Sequence, residues 1–172
     1  MVLPLISYAY REQNRKLHEE SEVYGANSAK YFKQVVRLMQ KTDCKTVLDY
    51  GCGKGGLVKA LLDHGMLARG YDPAVDEFFA PPEPADLVIC TDVLEHVEPE
   101  YISAVLDDLD RLTLRALYLI VATGPAQKVL PDGRNAHLIQ KSSRDWLYDL
   151  LPRFKLVEFM DAGRGFAAVM SK

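Results

Sequence analysis

The chain has 172 residues, a formal net charge of -3 and a pI near 5.8. Its 48% hydrophobic and 26% charged residues are typical of a globular protein and exclude a disordered or collagen-like chain. The acidic balance argues against a nucleic-acid partner, and no apolar run approaches the ~20 residues that insertion across a membrane requires. The three cysteines lack C-x-x-C spacing, which favours reduced thiols and a cytoplasmic location.

The first forty residues predict two helices. A polar helix is expected around residues 12–22. Apolar side chains repeat at i, i+4 and i+7 over residues 31–39, which predicts a second helix with one apolar face. Asn27 or Ser28 is expected to cap the start of that second helix.

Beyond residue 43, strand-like and helix-like segments alternate. Strands are predicted at residues 45–50, 66–71, 85–90, 116–122, 154–160 and 166–170, and helices at residues 54–64, 99–112 and 145–151. Gly163 and Gly165 join the last two strands as a hairpin. The segment between Asp72 and Ala85 contains four prolines and leaves no room for another strand.

This order of elements predicts an α/β fold. Strands that alternate with helices form a mostly parallel sheet with helices on both faces, a three-layer, doubly wound, Rossmann-like sandwich. The terminal hairpin adds an antiparallel edge to a sheet of six strands. The region where a third strand would stand is shortened.

A glycine-rich turn, DYGCGKGG, runs from Asp49 to Gly56 between the first strand and the next helix. Glycine lets the chain turn sharply and lets a ligand approach the backbone. Free amides at the start of the helix are expected to favour a carboxylate or phosphate. Asp72 ends the second strand about 20 residues later, where an acid can accept hydrogen bonds from both hydroxyls of a ribose. Together these features predict a nucleoside-type cofactor.

The charge of Asp49 favours one such cofactor over another. A carboxylate two residues before the first glycine would repel the pyrophosphate of a dinucleotide. It would attract the ammonium and sulfonium groups of S-adenosylmethionine, by roughly 1–4 kcal/mol at a surface-like dielectric. An NAD(P)-dependent reductase stays an alternative because it would share the turn and Asp72.

Four segments resemble the successive motifs of class I S-adenosylmethionine-dependent methyltransferases: VLDYGCGKGGL, GYDPA, ADLVICTDVLEHVEP and LYLIVATGPA. The resemblance covers about residues 46–125. It implies a single methyltransferase domain over residues 1–172, with N-terminal helices at residues 1–42 and a cofactor-binding core at residues 43–172. The strand and the adenine-contacting acid that the family has between the counterparts of Asp72 and Ala85 are missing here.

The resemblance also implies which residues bind the cofactor. Asp49 and the backbone of residues 51–53 would hold the methionine portion, and Asp72 would take the ribose. The full set of predicted cofactor-binding residues is Asp49, Tyr50, Gly51, Cys52, Gly53, Asp72, Pro73, Thr91 and Asp92.

A second group of polar residues follows the third predicted strand. If residues 92–96 are helical, Asp92, Glu95 and His96 share one face, and the loop that carries His137 can fold over the same end of the sheet. Two carboxylates and two histidines suit a divalent metal ion that deprotonates a substrate hydroxyl. Ubiquinone-pathway O-methyltransferases and small-RNA terminal-ribose methyltransferases are similar here. Alternatively, Asp92 touches the cofactor, Glu95 and His96 orient the loop, and His137 is a lone general base.

We therefore predict methyl transfer from S-adenosylmethionine to an oxygen or nitrogen atom of a small-molecule acceptor, with His137 and His96 as catalytic residues. The alternatives are a metal-assisted ribose methyltransferase acting on RNA ends, a non-catalytic S-adenosylmethionine-binding subunit, and the reductase. Tyr24 and Gly25 either form part of a lid over the cofactor or only end the first helix, and His18 and His64 are expected at the surface.

Overall fold

The structure, a computed structural model, describes residues 4–21, 25 and 27–172. Its helices are α1 (Tyr8–Glu20), α2 (Phe32–Thr42), α3 (Gly56–Asp63), α4 (Ile102–Leu112) and α5 (Ser143–Leu150). Its strands are β1 (Thr46–Tyr50), β2 (Leu67–Tyr71), β3 (Ala85–Thr91), β4 (Thr113–Ala122), β5 (Lys155–Asp161) and β6 (Gly165–Ser171). Short 3-10 turns lie at Asn27–Tyr31, Leu94–His96 and Pro99–Tyr101. Among the described residues, no helix has the length and apolarity needed to cross a membrane.

The six strands form one mixed sheet in the order β2-β1-β3-β4-β6-β5. Strands β1 to β4 pair in parallel, and β6 runs antiparallel between β4 and β5. This confirms the predicted α/β fold with its antiparallel C-terminal edge. The strand order reverses between β1 and β3, and open α/β sheets bind ligands beside the carboxyl ends of the strands at such a reversal.

Each face of the sheet carries a buried apolar cluster. Val88 of β3 belongs to the cluster that includes Leu109 of α4 and Trp146 of α5, and Leu87 belongs to the opposite cluster, under α2 and α3. The sequence of a strand that is covered on both faces is a continuous apolar run, and for this reason the sequence of residues 85–90 predicted a buried strand. Residues 72–84 contain no strand or helix, as expected, so the sheet ends at β2.

The predicted cap of α2 is wrong. Asn27–Tyr31 forms a 3-10 turn of its own, so the residue directly before α2 is Tyr31. Its side chain makes no capping hydrogen bond. The Ser28 hydroxyl instead accepts a hydrogen bond from the amide of Leu57 in α3, at 3.0 Å. Helix α3 needs this distant cap because the residue at its own N-terminus, Gly55, has no side chain.

Candidate active site

A cavity of about 330 Å³ opens at the carboxyl ends of β1, β2 and β3. The predicted cofactor-binding residues that line it are Tyr50, Gly51, Cys52, Gly53, Asp72, Pro73, Thr91 and Asp92. Asp49, at the end of β1, is 1% exposed and is not part of this lining. The structure therefore brings the glycine turn, the end of β2 and the end of β3 together around one space of ligand size.

The turn itself requires glycine at two positions. Gly51 and Gly53 have φ angles of +76° and +53°, in the left-handed region. A Cβ atom on Gly53 would lie 2.6 Å from the carbonyl oxygen of Gly25, and one on Gly51 would clash with the Val93 side chain. The close approach of the turn to Gly25 and to Val93 therefore depends on glycine, which has no side chain, at these two positions.

Most backbone amides of the glycine turn are hydrogen-bonded within the protein. The amides of Gly51 and Cys52 donate to the carbonyl oxygen of Tyr71 at 2.7 and 3.1 Å. The amide of Lys54 donates to Gly25, and the amide of Gly55 donates back to Cys52. These bonds fasten the turn to β2, so the turn shapes the cavity while its donors are used within the protein.

Asp72 is fixed to the turn by both of its carboxylate oxygens. Oδ2 accepts a hydrogen bond from the Gly53 amide at 3.0 Å, and Oδ1 accepts one from the Ala74 amide at 2.9 Å. A carboxylate oxygen has two acceptor sites, so each oxygen keeps one for a ligand hydroxyl. Asp72 is 8% exposed and faces the cavity, which gives it the geometry that binding a vicinal diol requires.

Asp49 is a buried carboxyl group with an unsatisfied oxygen. Its Oδ2 atom has no hydrogen-bond partner among the residues that the structure describes, and burial together with the charge of Asp72 raises its pKa to about 7. Leaving a buried acceptor unsatisfied is costly, and a cation close to the turn would offset that cost. The site therefore fits a positively charged ligand better than an anionic one.

Helix α1 covers the cavity, which the sequence did not reveal. Tyr10, Asn14 and His18 lie on one face of α1 and line the cavity, so the expectation of a surface His18 is wrong. The i, i+4, i+8 spacing of these three residues was the available signal. Gly25 also lines the cavity, whereas Tyr24 lies outside the described residues.

Hydrogen bonds hold α1 in this position. The amide and hydroxyl of Ser7, just before α1, donate to the Glu98 carboxylate at 2.8 and 2.7 Å. The Tyr10 hydroxyl donates to the carbonyl oxygen of His96 at 3.0 Å. Tyr10 also packs against Leu130 in the loop after β4. Helix α1 is thus tied both to the start of the α4 region and to the loop that carries His137.

Residues 92–96 do not form the predicted helical face. Asp92 has a φ of +57°, and only a single 3-10 turn, Leu94–His96, follows it. The Asp92 carboxylate accepts a hydrogen bond from the Tyr31 hydroxyl at 2.9 Å and lies 3.6 Å from the Lys30 ammonium. Asp92 therefore contacts the Asn27–Tyr31 turn and is not part of the group formed by Glu95, His96 and His137.

Glu95, His96 and His137 do come together. One possible ligand atom from each lies within 4.8 Å of the others, and the two imidazole rings meet edge to face with centroids 4.9 Å apart. Nδ1 of His96 lies 2.7 Å from the Ala136 carbonyl, and Nδ1 of His137 lies 2.6 Å from the Gly124 carbonyl. A carbonyl only accepts, so each Nδ1 carries the proton and each Nε2 offers a lone pair in the neutral ring.

Burial disfavours charge in this cluster. Glu95 is 1% exposed, its Oε1 accepts a hydrogen bond from the Ala122 amide at 3.0 Å, and its Oε2 has no partner. Burial raises the pKa of Glu95 to about 7 and lowers the pKa of His96 to about 4. His96 lines the cavity, whereas Glu95 and His137 lie beside it without lining it.

Comparison with known proteins identifies the family. A family model described as a methyltransferase domain matches residues 21–163. The chain is a class I S-adenosylmethionine-dependent methyltransferase. Comparison of the methyltransferase with curated proteins by sequence found no match.

Solved structures share the fold of this methyltransferase at low sequence identity. The 1,6-didemethyltoxoflavin-N1-methyltransferase of Burkholderia thailandensis, solved with 1,6-didemethyltoxoflavin and S-adenosylhomocysteine, has 15% identity and a TM-score of 0.68 over 100% of this chain and 93% of its own. The N-methyltransferase NodS of Bradyrhizobium japonicum, with S-adenosylhomocysteine, has 14% identity and a TM-score of 0.64 over 94% and 98%. The magnesium protoporphyrin IX methyltransferase of Synechocystis has 19% identity and a TM-score of 0.57 over 95% and 94%.

The burial of Asp49 predicts a stability effect in the ligand-free methyltransferase. A folded-state pKa near 7, above the unfolded value of 3.8, means that the folded state holds the proton more tightly, so stability falls as pH rises from about 4 to about 7. Asp49→Asn removes this loss. We expect the stability of the variant relative to wild type to rise by about 2 kcal/mol between pH 5 and pH 8 in urea unfolding experiments.

The exposed carboxylate of Asp63 on α3 offers the matched control. Asp63→Asn should show the same stability relative to wild type at both pH values. If the stability difference between Asp49→Asn and wild type is the same at pH 5 and pH 8, this would contradict the burial of an unsatisfied charge at this position.

Proposed function

We propose that this methyltransferase transfers a methyl group from S-adenosylmethionine to an oxygen or nitrogen atom of a small-molecule acceptor. The main support is that one cavity runs from Asp72 and the glycine turn to His96, which lies beside two further proton-binding or metal-binding groups. The similar toxoflavin-precursor and magnesium protoporphyrin enzymes are named for small-molecule acceptors. A cavity of about 330 Å³ lies within the size range of small-molecule sites.

S-adenosylmethionine supplies a methyl group bonded to a cationic sulfur. The residues of this chain hold and align the reactants and exclude water. We assign the ribose hydroxyls to Asp72, and stabilisation of the positive charge to Asp49, whose unsatisfied oxygen favours a cation nearby. Helix α1 closes the cavity on the side of Tyr10.

The histidines are suited to take the proton that the acceptor must lose. When the carbon–sulfur bond breaks and the new bond to oxygen or nitrogen forms, the acceptor's proton needs a base. The carbonyl partners of both Nδ1 atoms leave Nε2 of His137 and His96 as the basic positions. We propose His137 as the general base, beside His96, which lines the cavity and meets the His137 ring edge to face.

The same cluster also fits a divalent metal ion. Its donor set is one carboxylate and two imidazoles, and the Glu95 Oε2 atom is buried without a partner. Such an ion would be held by Glu95, His96 and His137 and would lower the pKa of an acceptor hydroxyl. Asp92, which sequence reasoning added to this set, is occupied by Tyr31 and Lys30.

Direct titration tests the metal. Chelator-treated protein titrated with Zn²⁺ or Mn²⁺ in a calorimeter should bind one ion, and Glu95→Gln should weaken that binding at least about tenfold. The matched control is Asp92→Asn, which should keep the affinity of wild type. If wild type binds neither ion, the metal is excluded and the histidines act as bases alone.

Transfer of a labelled methyl group tests the acceptor class. The protein is incubated with methyl-labelled S-adenosylmethionine and a cell extract that is afterwards separated into small-molecule, RNA and protein fractions. We expect label in the small-molecule fraction. Label in the RNA fraction alone would favour ribose methylation of RNA ends. Label in no fraction, with the cofactor still bound, would favour a non-catalytic subunit.

A further inference from the structure

Asp72 lines the cavity beside an edge of the sheet where no further strand follows β2 among the described residues. The sheet ends at β2, and residues 72–84, which follow Asp72, form neither strand nor helix. A cofactor whose ribose is held by Asp72 must place its base on the far side of that ribose. Some other part of the chain must therefore enclose the base.

The N-terminal segment occupies this position. Leu5 packs against the apolar cluster that contains Tyr71 at the end of β2 and Val105 of α4. The guanidinium of Arg11 lies over the ring of Phe79, 5.6 Å from its centroid, in the segment after Asp72. Through Arg11, the N-terminal segment thus reaches the residues that follow β2 at the open edge of the sheet.

The cavity there has two apolar walls and one acid. Leu5 and Ile6 line it from the N-terminal segment, Val93 and Val97 line it from the segment that follows β3, and Val105 lines it from α4. Apolar side chains on both sides suit a flat aromatic base.

Glu98 also lines the cavity and is 9% exposed. Its Oε1 and Oε2 atoms each accept one hydrogen bond from Ser7. Because each carboxylate oxygen has two acceptor sites, both retain one for a ligand. Glu98 is therefore held rigidly by Ser7 and can still accept a hydrogen bond from a base.

We propose that residues 5–14 and Glu98 form the adenine subsite of this methyltransferase, with the Glu98 carboxylate accepting a hydrogen bond from the exocyclic amino group. This inference rests on S-adenosylmethionine as the cofactor in the proposed function. A carboxylate accepts from the amino group of adenine and repels the keto oxygen of hypoxanthine. The subsite consequently selects adenine over hypoxanthine. The selecting residue, Glu98, is far in sequence from the end of β2.

Calorimetric titration with two ligands tests the role of Glu98. The ligands are S-adenosylhomocysteine and S-inosylhomocysteine, which differ by the amino and keto groups. Wild type should bind S-adenosylhomocysteine at least about tenfold more tightly than S-inosylhomocysteine. The reason is that the inosyl ligand lacks the amino group that would donate a hydrogen bond to the Glu98 carboxylate. Glu98→Gln should lose most of this preference, since an amide can donate to the keto oxygen.

Two outcomes of this titration would overturn the proposal. One is that Glu98→Gln weakens the binding of both ligands by the same factor. The other is that wild type does not discriminate between them. Failure of wild type to bind S-adenosylhomocysteine at all would refute the cofactor itself, which is a different result.

Ser7→Ala is the matched control. It removes one hydrogen bond to Glu98 and the hydroxyl that caps α1, but leaves the carboxylate in place. If Glu98 only anchors α1, Ser7→Ala and Glu98→Gln should have similar effects on both ligands. If Glu98 contacts the base, Ser7→Ala should weaken both ligands by the same factor and preserve the preference.

A label on the wild-type protein avoids the risk that a variant misfolds. The protein is incubated with S-adenosylhomocysteine that carries an azide on the six-membered ring of its base, and the complex is irradiated. The labelled peptide is then identified by mass spectrometry after tryptic cleavage. We expect label on the peptide that ends at Arg11. Label confined to peptides outside residues 5–14 and the peptide that contains Glu98 would contradict the proposed subsite.

Discussion

Asp72→Ala is expected to weaken the binding of S-adenosylhomocysteine by at least about a hundredfold. The Asp72 carboxylate faces the cavity and holds the turn through the amides of Gly53 and Ala74. If Asp72 holds the ribose as proposed, the variant would lose two charge-assisted hydrogen bonds to the ligand, each worth about 1.5–3 kcal/mol, whereas a hundredfold change corresponds to about 2.7 kcal/mol. Isothermal titration calorimetry measures the loss.

Asp76→Ala is the matched control, because Asp76 is exposed and belongs to the same irregular segment. It should bind the ligand within about twofold of wild type. Asp72→Asn keeps one acceptor oxygen, and with it one of the two amide hydrogen bonds, so it should have an intermediate affinity. An unchanged dissociation constant for Asp72→Ala would show that the cofactor lies elsewhere.

The second large effect is expected at His137. His137→Ala should lower kcat by about a hundredfold or more, because a positioned base contributes about 10²–10⁴ in rate. The dissociation constant for S-adenosylhomocysteine should stay within about twofold, since His137 does not line the cavity. Initial rates with the identified acceptor, measured beside calorimetric affinities, separate these two quantities.

His64→Ala controls for the loss of a histidine far from the cluster. His64 follows α3, is exposed, and its Nδ1 contacts the Ala60 carbonyl at 2.8 Å. Its replacement should leave kcat unchanged. If His137→Ala retains wild-type kcat, the residue only secures the loop through Gly124 and the base is elsewhere. Loss of affinity and kcat together would also contradict a role in proton transfer alone.

The parts of the fold that depend on local pattern were predictable from the sequence. The continuous apolar run of residues 85–90 indicated a strand buried on both faces, and β3 is that strand. Gly163 and Gly165 indicated a hairpin, and β5 and β6 form it. The glycine turn with Asp72 likewise located the cavity, because both features follow from the geometry of strand ends.

The parts that depend on packing between distant segments were not predictable. No local pattern shows that α1 crosses the cavity and places Tyr10 against His96, 86 residues away. Ser28 caps α3 because of where the two helices meet, although its position suggested a cap for α2.

Backbone conformation accounts for a further difference at Asp92. Helical spacing grouped Asp92 with Glu95 and His96, but a positive φ at Asp92 breaks that periodicity. A non-glycine residue in this conformation is uncommon and depends on surrounding contacts that the sequence does not display. Here the Tyr31 hydroxyl and the Lys30 ammonium are such contacts.

We propose that the cavity at the ends of β1, β2 and β3 binds the adenosyl cofactor. The decisive measurement is the structure of a wild-type crystal soaked with S-adenosylhomocysteine. We expect density for the ligand between the glycine turn and α1, with its ribose hydroxyls on the Asp72 carboxylate. A cavity without that density in a crystal equilibrated with saturating ligand, or density for the ligand at another place on the protein, would contradict the account.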